Sequence, residues 1–320
     1  MDVTFGLWAG TIAGILVLIA LDFVTVSRKP HEVEFREAAL WSIFYIGIAI
    51  AFGAWIWFTF GSTPGTEYFA AYLVEKSLSV DNLFVFLLLL TAFAVPRELQ
   101  QRVLLIGIIG ALILRGIFIA LGAQLISTFS WAFLLFGAVL LVTAVKVLRD
   151  AMAHEDKAID IGSIRSVRFI RRFMPVTDTY AGTRLTVVQA GRRALTPLAL
   201  VIVAILATDI VFAIDSVPAV YGITGDPYLV FATNAFALLG LRALYFVLEG
   251  ALGKLRHLGY GLAAILAFIG VKLVLHWAHG VWIWIPEIPT LVSLGVIVGI
   301  LALATTTSVI ANRREARREL

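Results

Sequence analysis

The chain has 320 residues, of which 61% are hydrophobic, and its mean hydropathy is +0.97. Charged residues make up only 14%, against about 25% in ordinary soluble domains, so the composition excludes a soluble globular protein and indicates a polytopic membrane protein. The absence of cysteine excludes disulfides, iron–sulfur clusters and thiolate metal sites on the chain itself. The net charge of +4 comes from Lys and Arg in short connections between apolar runs, so nucleic acid is not an expected partner.

Nine apolar runs predict an all-α fold, with nine transmembrane helices in a single membrane domain over residues 1–320. Their approximate limits are Leu7 to Val26, Leu40 to Phe60, Phe69 to Val95, Val103 to Leu125, Trp131 to Leu148, Pro197 to Tyr221, Tyr228 to Leu248, Gly259 to Trp277 and Thr290 to Ala311. Basic residues fall in alternate connections. The positive-inside rule therefore places the amino terminus outside and the carboxyl terminus in the cytoplasm.

The longest connection, residues 149–196, is expected to be a basic cytoplasmic loop. Within it, residues 163–173 mix cations with bulky apolar side chains, a pattern typical of an interfacial helix on the anionic surface of a lipid bilayer. A solvated linker is the alternative interpretation.

Polar side chains interrupt two of the apolar runs, where they are costly in a bilayer and call for a partner or a function. They are Glu75, Lys76, Asp81 and Asn82 in the third run, and Asp209, Asp215 and Ser216 in the sixth. Carboxylate, amide and hydroxyl oxygens are hard ligands that suit Mg, Ca or Mn, whereas Zn and Cu usually recruit His or Cys. Apart from Lys76, these residues predict a site for a hard divalent cation. Protons compete with metal for buried carboxylates, which offers a basis for exchange.

The same order of polar residues occurs twice along the chain. The first unit has Glu75, Asp81, Arg115 and Lys146, and the second has Asp209, Asp215, Arg242 and Lys272. Because the units begin three spans apart, they would cross the membrane in opposite directions. The pattern predicts an inverted 3+3 repeat of spans 3–5 and 6–8, with a site between the halves.

The span limits predict the depth of each acid in the membrane. Counted from those limits, Asp81 and Asp209 form a central tier, whereas Glu75 and Asp215 lie on an outer route. We therefore expect the central metal site at Asp81 and Asp209.

The intramembrane cations are expected to form charge pairs, since an arginine inside a span normally needs a carboxylate. The expected pairs are Arg115 with Glu75 or Asp81, and Arg242 with Asp209 or Asp215. Lys76 either neutralises Glu75 or points outward to the lipid headgroups.

The stretches E-K-S-L-S-V-D-N, at 75–82, and D-I-V-F-A-I-D-S-V-P-A, at 209–219, resemble motifs of the TerC/Alx family of integral membrane proteins, named for tellurium resistance. The resemblance covers spans two to nine. It implies a manganese exporter in the bacterial inner membrane, with Mn²⁺ as the transported substrate and no tightly bound cofactor. The positions that match the family motifs are Glu75, Asp81, Asn82, Asp209 and Asp215.

The leading hypothesis is export of Mn²⁺ by a secondary transporter, in exchange for protons, because no nucleotide-binding motif is present. One alternative is a transporter of Ca²⁺ or another cation. Another is a membrane scaffold or stress-response protein that recruits partners through the basic loop. An enzyme is not expected, because the chain has no recognisable nucleophile–base pair or phosphate-binding loop.

Overall fold

The computed structural model describes residues 3–27, 34–129, 131–153, 175–177, 179–189, 192–248, 257–282, 284–286 and 288–316. Its helices are α1 (Phe5–Ser27), α2 (Phe35–Phe60), α3 (Ser62–Ala92), α4 (Arg97–Thr128), α5 (Ala132–Ala153), α6 (Pro197–Tyr221), α7 (Pro227–Leu239), α8 (Leu241–Leu248), α9 (Leu258–Val281) and α10 (Thr290–Ala316). Two short strands, β1 (Thr186–Gln189) and β2 (Arg192–Leu195), precede α6. The expected all-α polytopic architecture is confirmed.

Seven helices in the described part of the chain are long and apolar enough to cross a membrane, or eight if the bent pair α7–α8 is one span. The seven are α1, α2, α4, α5, α6, α9 and α10. The helix α3 is not among them, although it has 31 residues. Three charged residues, Glu75, Lys76 and Asp81, fall within about two turns in the middle of α3. They lower the apolar character of this helix below that of the other seven. The count of nine spans therefore stays a prediction.

The span predicted from Tyr228 to Leu248 consists of two helices, α7 and α8, which meet at Gly240 with a bend of 41°. A Cβ at Gly240 would lie 3.1 Å from the Tyr45 Cβ and 3.3 Å from the Lys76 Nζ. The break thus sits against two other helices, where a side chain would not fit without movement. A single glycine in an apolar run does not reveal such a contact from the sequence.

The helix α3 is central to the packing, because its residues enter three separate buried clusters. Tyr68 and Tyr72 pack with α1, α2 and α7; Val74 and Leu78 pack with α5, α6 and α9; Leu83 and Phe86 pack with α4, α6 and α8. By contrast, large apolar side chains on α1 and α2, such as Phe5 and Phe58, are 88% and 87% exposed. That distribution fits lipid-facing outer helices around a protein-buried α3.

The most extensive helix contacts are those of α4 with α6, α3 with α7, α2 with α3, and α5 with α9. In the last pair, a Cβ at Gly137 would lie 2.9 Å from the carbonyl oxygen of Gly270, and a Cβ at Gly270 would lie 3.1 Å from that of Gly137. The two backbones therefore cross in direct contact, which small residues permit between membrane helices.

The loop between α5 and α6 is partly described. Residues 163–173, where an interfacial helix was expected, lie outside the described residues. β1 and β2 pair antiparallel, with Thr186 opposite Leu195. The Tyr180 hydroxyl donates to the Phe93 carbonyl at 2.7 Å, which ties the loop to the end of α3, and burial raises the pKa of Tyr180 to about 12. At the other end, Thr196 caps α6 by accepting from the Ala199 N–H at 3.4 Å.

Candidate cation site

The candidate site is built around the buried guanidinium of Arg115, near the middle of α4. Its Nη1 donates to Glu75 Oε1 on α3. Its Nη2 and Nε donate to Oδ1 and Oδ2 of Asp209 on α6, at 3.1 and 3.4 Å. Arg115 and Glu75 are 0% exposed, and Asp209 is 1% exposed. One arginine thus joins acids from both predicted halves, and the Asp209 contact is bidentate.

Two amides complete the hydrogen bonds around the arginine. Asn234 on α7 donates from Nδ2 to Glu75 Oε1 at 2.9 Å. In the amide orientation that satisfies both neighbours, Asn82 accepts from Arg115 Nη2 at 3.1 Å and donates to the Leu78 carbonyl at 3.1 Å. The polar cluster therefore draws on α3, α4, α6 and α7.

Several buried oxygens on the helices that form this cluster have no hydrogen-bond partner among the described residues. They are Glu75 Oε2, Ser79 Oγ, Ser216 Oγ and Asn234 Oδ1. Ser79 lies one turn beyond Glu75 on the same face of α3, and Ser216 lies two turns beyond Asp209 on α6. Because an unsatisfied buried oxygen is costly, these four atoms are candidate ligands for a further group.

The remaining two predicted acids are placed differently. Asp215, on α6, interacts electrostatically with Arg115 and Glu75, and it stands outside the bidentate pair. The backbone of Asp81 lies in α3, but its side chain lies outside the described part of the structure.

The two-tier arrangement expected from the span limits is wrong for Glu75, because that residue shares one guanidinium with Asp209. The reason is the start of α3, which begins at Ser62 and not near Phe69. Glu75 consequently lies between three and four turns into its helix, as Asp209 does in α6 from Pro197. Both acids reach the middle of the molecule.

Arg242 does not pair with the acids of α6, so that expectation is also wrong. On α8, its Nε donates to Asp22 Oδ2 of α1 at 3.0 Å, its Nη2 donates to Asp22 Oδ1, and its Nη1 donates to Gln101 Oε1 of α4 at 3.0 Å. Arg242 and Asp22 are each 4% exposed. The second arginine of the predicted repeat therefore belongs to a separate buried ion pair.

Lys76 neither pairs with Glu75 nor reaches outward. Its Nζ donates to the Ala237 carbonyl at 3.2 Å, in the last turn of α7 beside the break at Gly240. A cation there complements the negative end of the helix dipole.

Sequence reasoning missed Asn234, Asp22 and Gln101 as members of these clusters. Asn234 had a usable signal, since an amide in the middle of an apolar span needs a partner as a carboxylate does. Asp22 and Gln101 lie near the ends of their predicted spans, where polar residues are ordinary.

The cluster has the oxygen chemistry of a hard-cation site, but its carboxylates are engaged by Arg115. Among the described side chains, no group of three or more His, Asp or Glu residues is arranged to hold a metal ion. A cation would therefore require a change in the position of the guanidinium.

Comparison with known proteins gives the family. The model of the "Integral membrane protein TerC family" matches residues 60–316, which includes every residue of the Arg115 cluster. The chain belongs to the TerC family. The match begins at the end of α2, so Asp22 on α1 lies outside the part that the family model covers.

Relatives match most of this TerC-family chain. The "Uncharacterized membrane protein STKORF319" of Myxococcus xanthus is 40% identical over 96% of this chain and 93% of its own length. The "Uncharacterized membrane protein Rv2723" of Mycobacterium tuberculosis (strain ATCC 25618 / H37Rv) is 47% identical, over 85% and 68%. The "Putative membrane-bound redox modulator Alx" of Escherichia coli (strain K12) is 39% identical, over 98% and 97%. No solved structure matches significantly. The chain is therefore a multi-pass integral membrane protein of this family.

Proposed function

We propose that this TerC-family protein is a secondary transporter that exports Mn²⁺ from the bacterial cytoplasm across the inner membrane in exchange for protons. The observation that carries the proposal is the meeting of Glu75 and Asp209, from two different helices, at one buried guanidinium, where Glu75 Oε2 and Asn234 Oδ1 have no hydrogen-bond partner among the described residues. Charged groups inside a membrane protein are costly to keep, and they commonly mark ion pathways.

The donor set supports a hard divalent cation. Carboxylates at Glu75 and Asp209, with hydroxyls at Ser79 and Ser216 and the Asn234 amide, supply only oxygen. Oxygen sites suit Mg, Ca and Mn. Manganese in particular is proposed from the family resemblance, and Ca²⁺ is the alternative that flux measurements must separate. Asp81, Asn82 and Asp215 remain proposed ligands or stations on the route.

An inverted repeat is proposed for the core, and the helix packing supports it. The first half contains α3, α4 and α5, and the second contains α6, the α7–α8 pair and α9. If each helix is exchanged for its counterpart, the packed pair α4–α6 becomes α7–α3, which is also packed, and α5–α9 becomes α9–α5. A twofold relation of that kind is typical of secondary transporters with a site between the halves. In this arrangement α3 and the bent α7–α8 pair both span the membrane. Together with the seven long apolar helices they make nine crossings.

The Escherichia coli relative is named as a redox modulator, which suggests a second kind of activity for that protein. This chain contains no cysteine, so a thiol-based redox role has no residue to act through. The polar groups of the buried cluster are acid, amide and hydroxyl, and they favour cation binding.

Total cellular manganese under Mn²⁺ load tests the proposal. In cells lacking their own manganese exporters, the parent protein should lower the metal content, and Glu75→Gln or Asp209→Asn should abolish that effect. Loss of a group that merely orients a metal ligand lowers metal affinity or activity by about 10–100-fold, and we expect loss of a ligand itself to have at least that effect. Glu98→Gln removes an exposed acid from the first turn of α4 and should behave as the parent.

Immunoblots of the membrane fraction measure the level of each variant and so distinguish failed membrane insertion from loss of transport. Unchanged manganese with the parent in the membrane, or full export by both neutralised variants, contradicts the proposal. Mn²⁺ and Ca²⁺ flux measured side by side in proteoliposomes under a pH gradient separates the two substrates. The scaffold alternative predicts instead that deletion of residues 154–174 abolishes function while the acid variants lose only stability.

A further inference from the structure

We infer that Arg115 is a built-in counter-cation, which occupies the carboxylates in the metal-free carrier and must leave them when a divalent cation binds. This inference rests on the proposed transport function. It concerns how the same site releases the metal and how the metal-free carrier then changes its orientation. It gives Arg115 a role in the transport cycle beyond holding helices together.

The hydrogen bonds carry the first step of the argument. The guanidinium uses Glu75 Oε1 and both carboxylate oxygens of Asp209, so Glu75 Oε2 is the one oxygen of these two acids that has no partner in the described part of the chain. A divalent cation needs several oxygen ligands at short distance. It cannot coordinate both carboxylates while Arg115 holds them, so the guanidinium and the metal are alternative occupants.

Charge gives the second step. The two carboxylates are buried to 0% and 1% exposure, and without a cation they would place two uncompensated negative charges inside the membrane domain. That state is strongly unfavourable. In the empty site Arg115 compensates one of the two negative charges and a proton taken up in exchange compensates the other, whereas a bound divalent cation compensates both in the loaded site. The empty carrier can therefore change its orientation without a metal ion.

A third carboxylate, that of Asp215 on α6, lies close enough to receive the displaced guanidinium. Asp215 interacts electrostatically with Arg115 but does not share in its bidentate pair. Arginine has a long side chain with several rotatable bonds, so its charged end can move towards Asp215 while α4 stays in place. Ser79 and Ser216, whose hydroxyls have no partner among the described residues, are then available to the incoming metal.

The other buried arginine supplies a matched comparison. Arg242 is 4% exposed and forms its bidentate pair with Asp22, in a cluster that contains none of Glu75, Asp209 or Asn234. Loss of either arginine removes one buried cation from one ion pair. Only loss of Arg115 changes the occupant of the candidate cation site.

Two measurements on purified protein in proteoliposomes test the inference. Mn²⁺ affinity should be about tenfold or more tighter in Arg115→Gln than in the parent, because the metal no longer competes with a pre-bound cation. Exchange of radioactive Mn²⁺ into vesicles loaded with unlabelled Mn²⁺ should persist, since exchange never requires the empty site to reorient. Net uptake into metal-free vesicles should fall sharply. Arg242→Gln should leave the affinity unchanged.

Arg115→Lys keeps the inference testable if Arg115→Gln does not fold. Lysine retains the charge but cannot form the bidentate pair, so its Mn²⁺ affinity should lie between those of the parent and the Gln variant, with net uptake retained. Weaker Mn²⁺ binding in the Arg115 variants, or equal loss of exchange and net uptake, would overturn the inference in favour of a purely structural arginine. Absence of Mn²⁺ binding and flux in the parent would instead overturn the proposed function.

Discussion

Two buried arginines occupy corresponding places in the predicted repeat, yet they have different surroundings. Arg115 bridges Glu75 and Asp209, whereas Arg242 pairs with Asp22 and Gln101. A buried charge that loses its partner is costly, because no water replaces the lost interaction. The Asp22–Arg242 pair therefore links α1, which the family model does not cover, to the α8 segment beyond the break.

The strength of that link can be measured by a double-mutant cycle. Asp22→Asn and Arg242→Gln should each lower the free energy of unfolding by about 3–5 kcal/mol, since each leaves a buried partner unpaired. The double variant should lose less than the sum of the two, as interacting residues do. Thermal unfolding in lipid nanodiscs provides the measurement. Arg193→Gln, at an exposed position of β2, is the control, and strictly additive losses would contradict a direct pair.

At the scale of helices, close backbone contact holds the α5–α9 pair. Gly137 and Gly270 face each other's carbonyl oxygens. Membrane helices gain little from apolar burial against lipid, so close packing at small residues is a principal source of their association. The glycines are therefore required by the crossing.

Gly137→Ala should destabilise the protein by about 1–3 kcal/mol, because the new methyl group would meet the Gly270 carbonyl at 2.9 Å and force the helices apart. Gly47→Ala on α2 is a matched control, since a Cβ there has no neighbour within 4 Å. The control should be neutral or slightly stabilising, by about 0.5–1 kcal/mol, from helix propensity alone. Equal unfolding temperatures for the two variants would disprove the close crossing.

For the whole molecule, the outstanding question of topology is whether α3 crosses the membrane. Its middle is polar, but three buried clusters surround the helix, and its Glu75 and Lys76 contact protein groups and not lipid. Polar residues are tolerated at membrane depth under those conditions. If α3 and the bent α7–α8 pair both span, we expect nine crossings and termini on opposite sides of the membrane.

Cysteine labelling tests this topology without background, because the chain contains no cysteine. In cells whose outer membrane is permeabilised and whose inner membrane is intact, a membrane-impermeant maleimide should label Thr4→Cys but not Glu319→Cys. Inverted membrane vesicles should give the reverse pattern. Labelling of both positions from the same side would indicate an even number of crossings and would contradict the predicted nine.

The sequence by itself determined the membrane class, most helix limits, the family and the acids of the candidate site, because hydropathy and motif spacing are local properties of the chain. Only the tertiary structure decided which groups meet. Arg115 reaches Asp209 across 94 positions, Asn234 reaches Glu75 across 159, and Arg242 reaches Asp22 across 220. Helical periodicity says which residues share a face, but not which helix packs against that face.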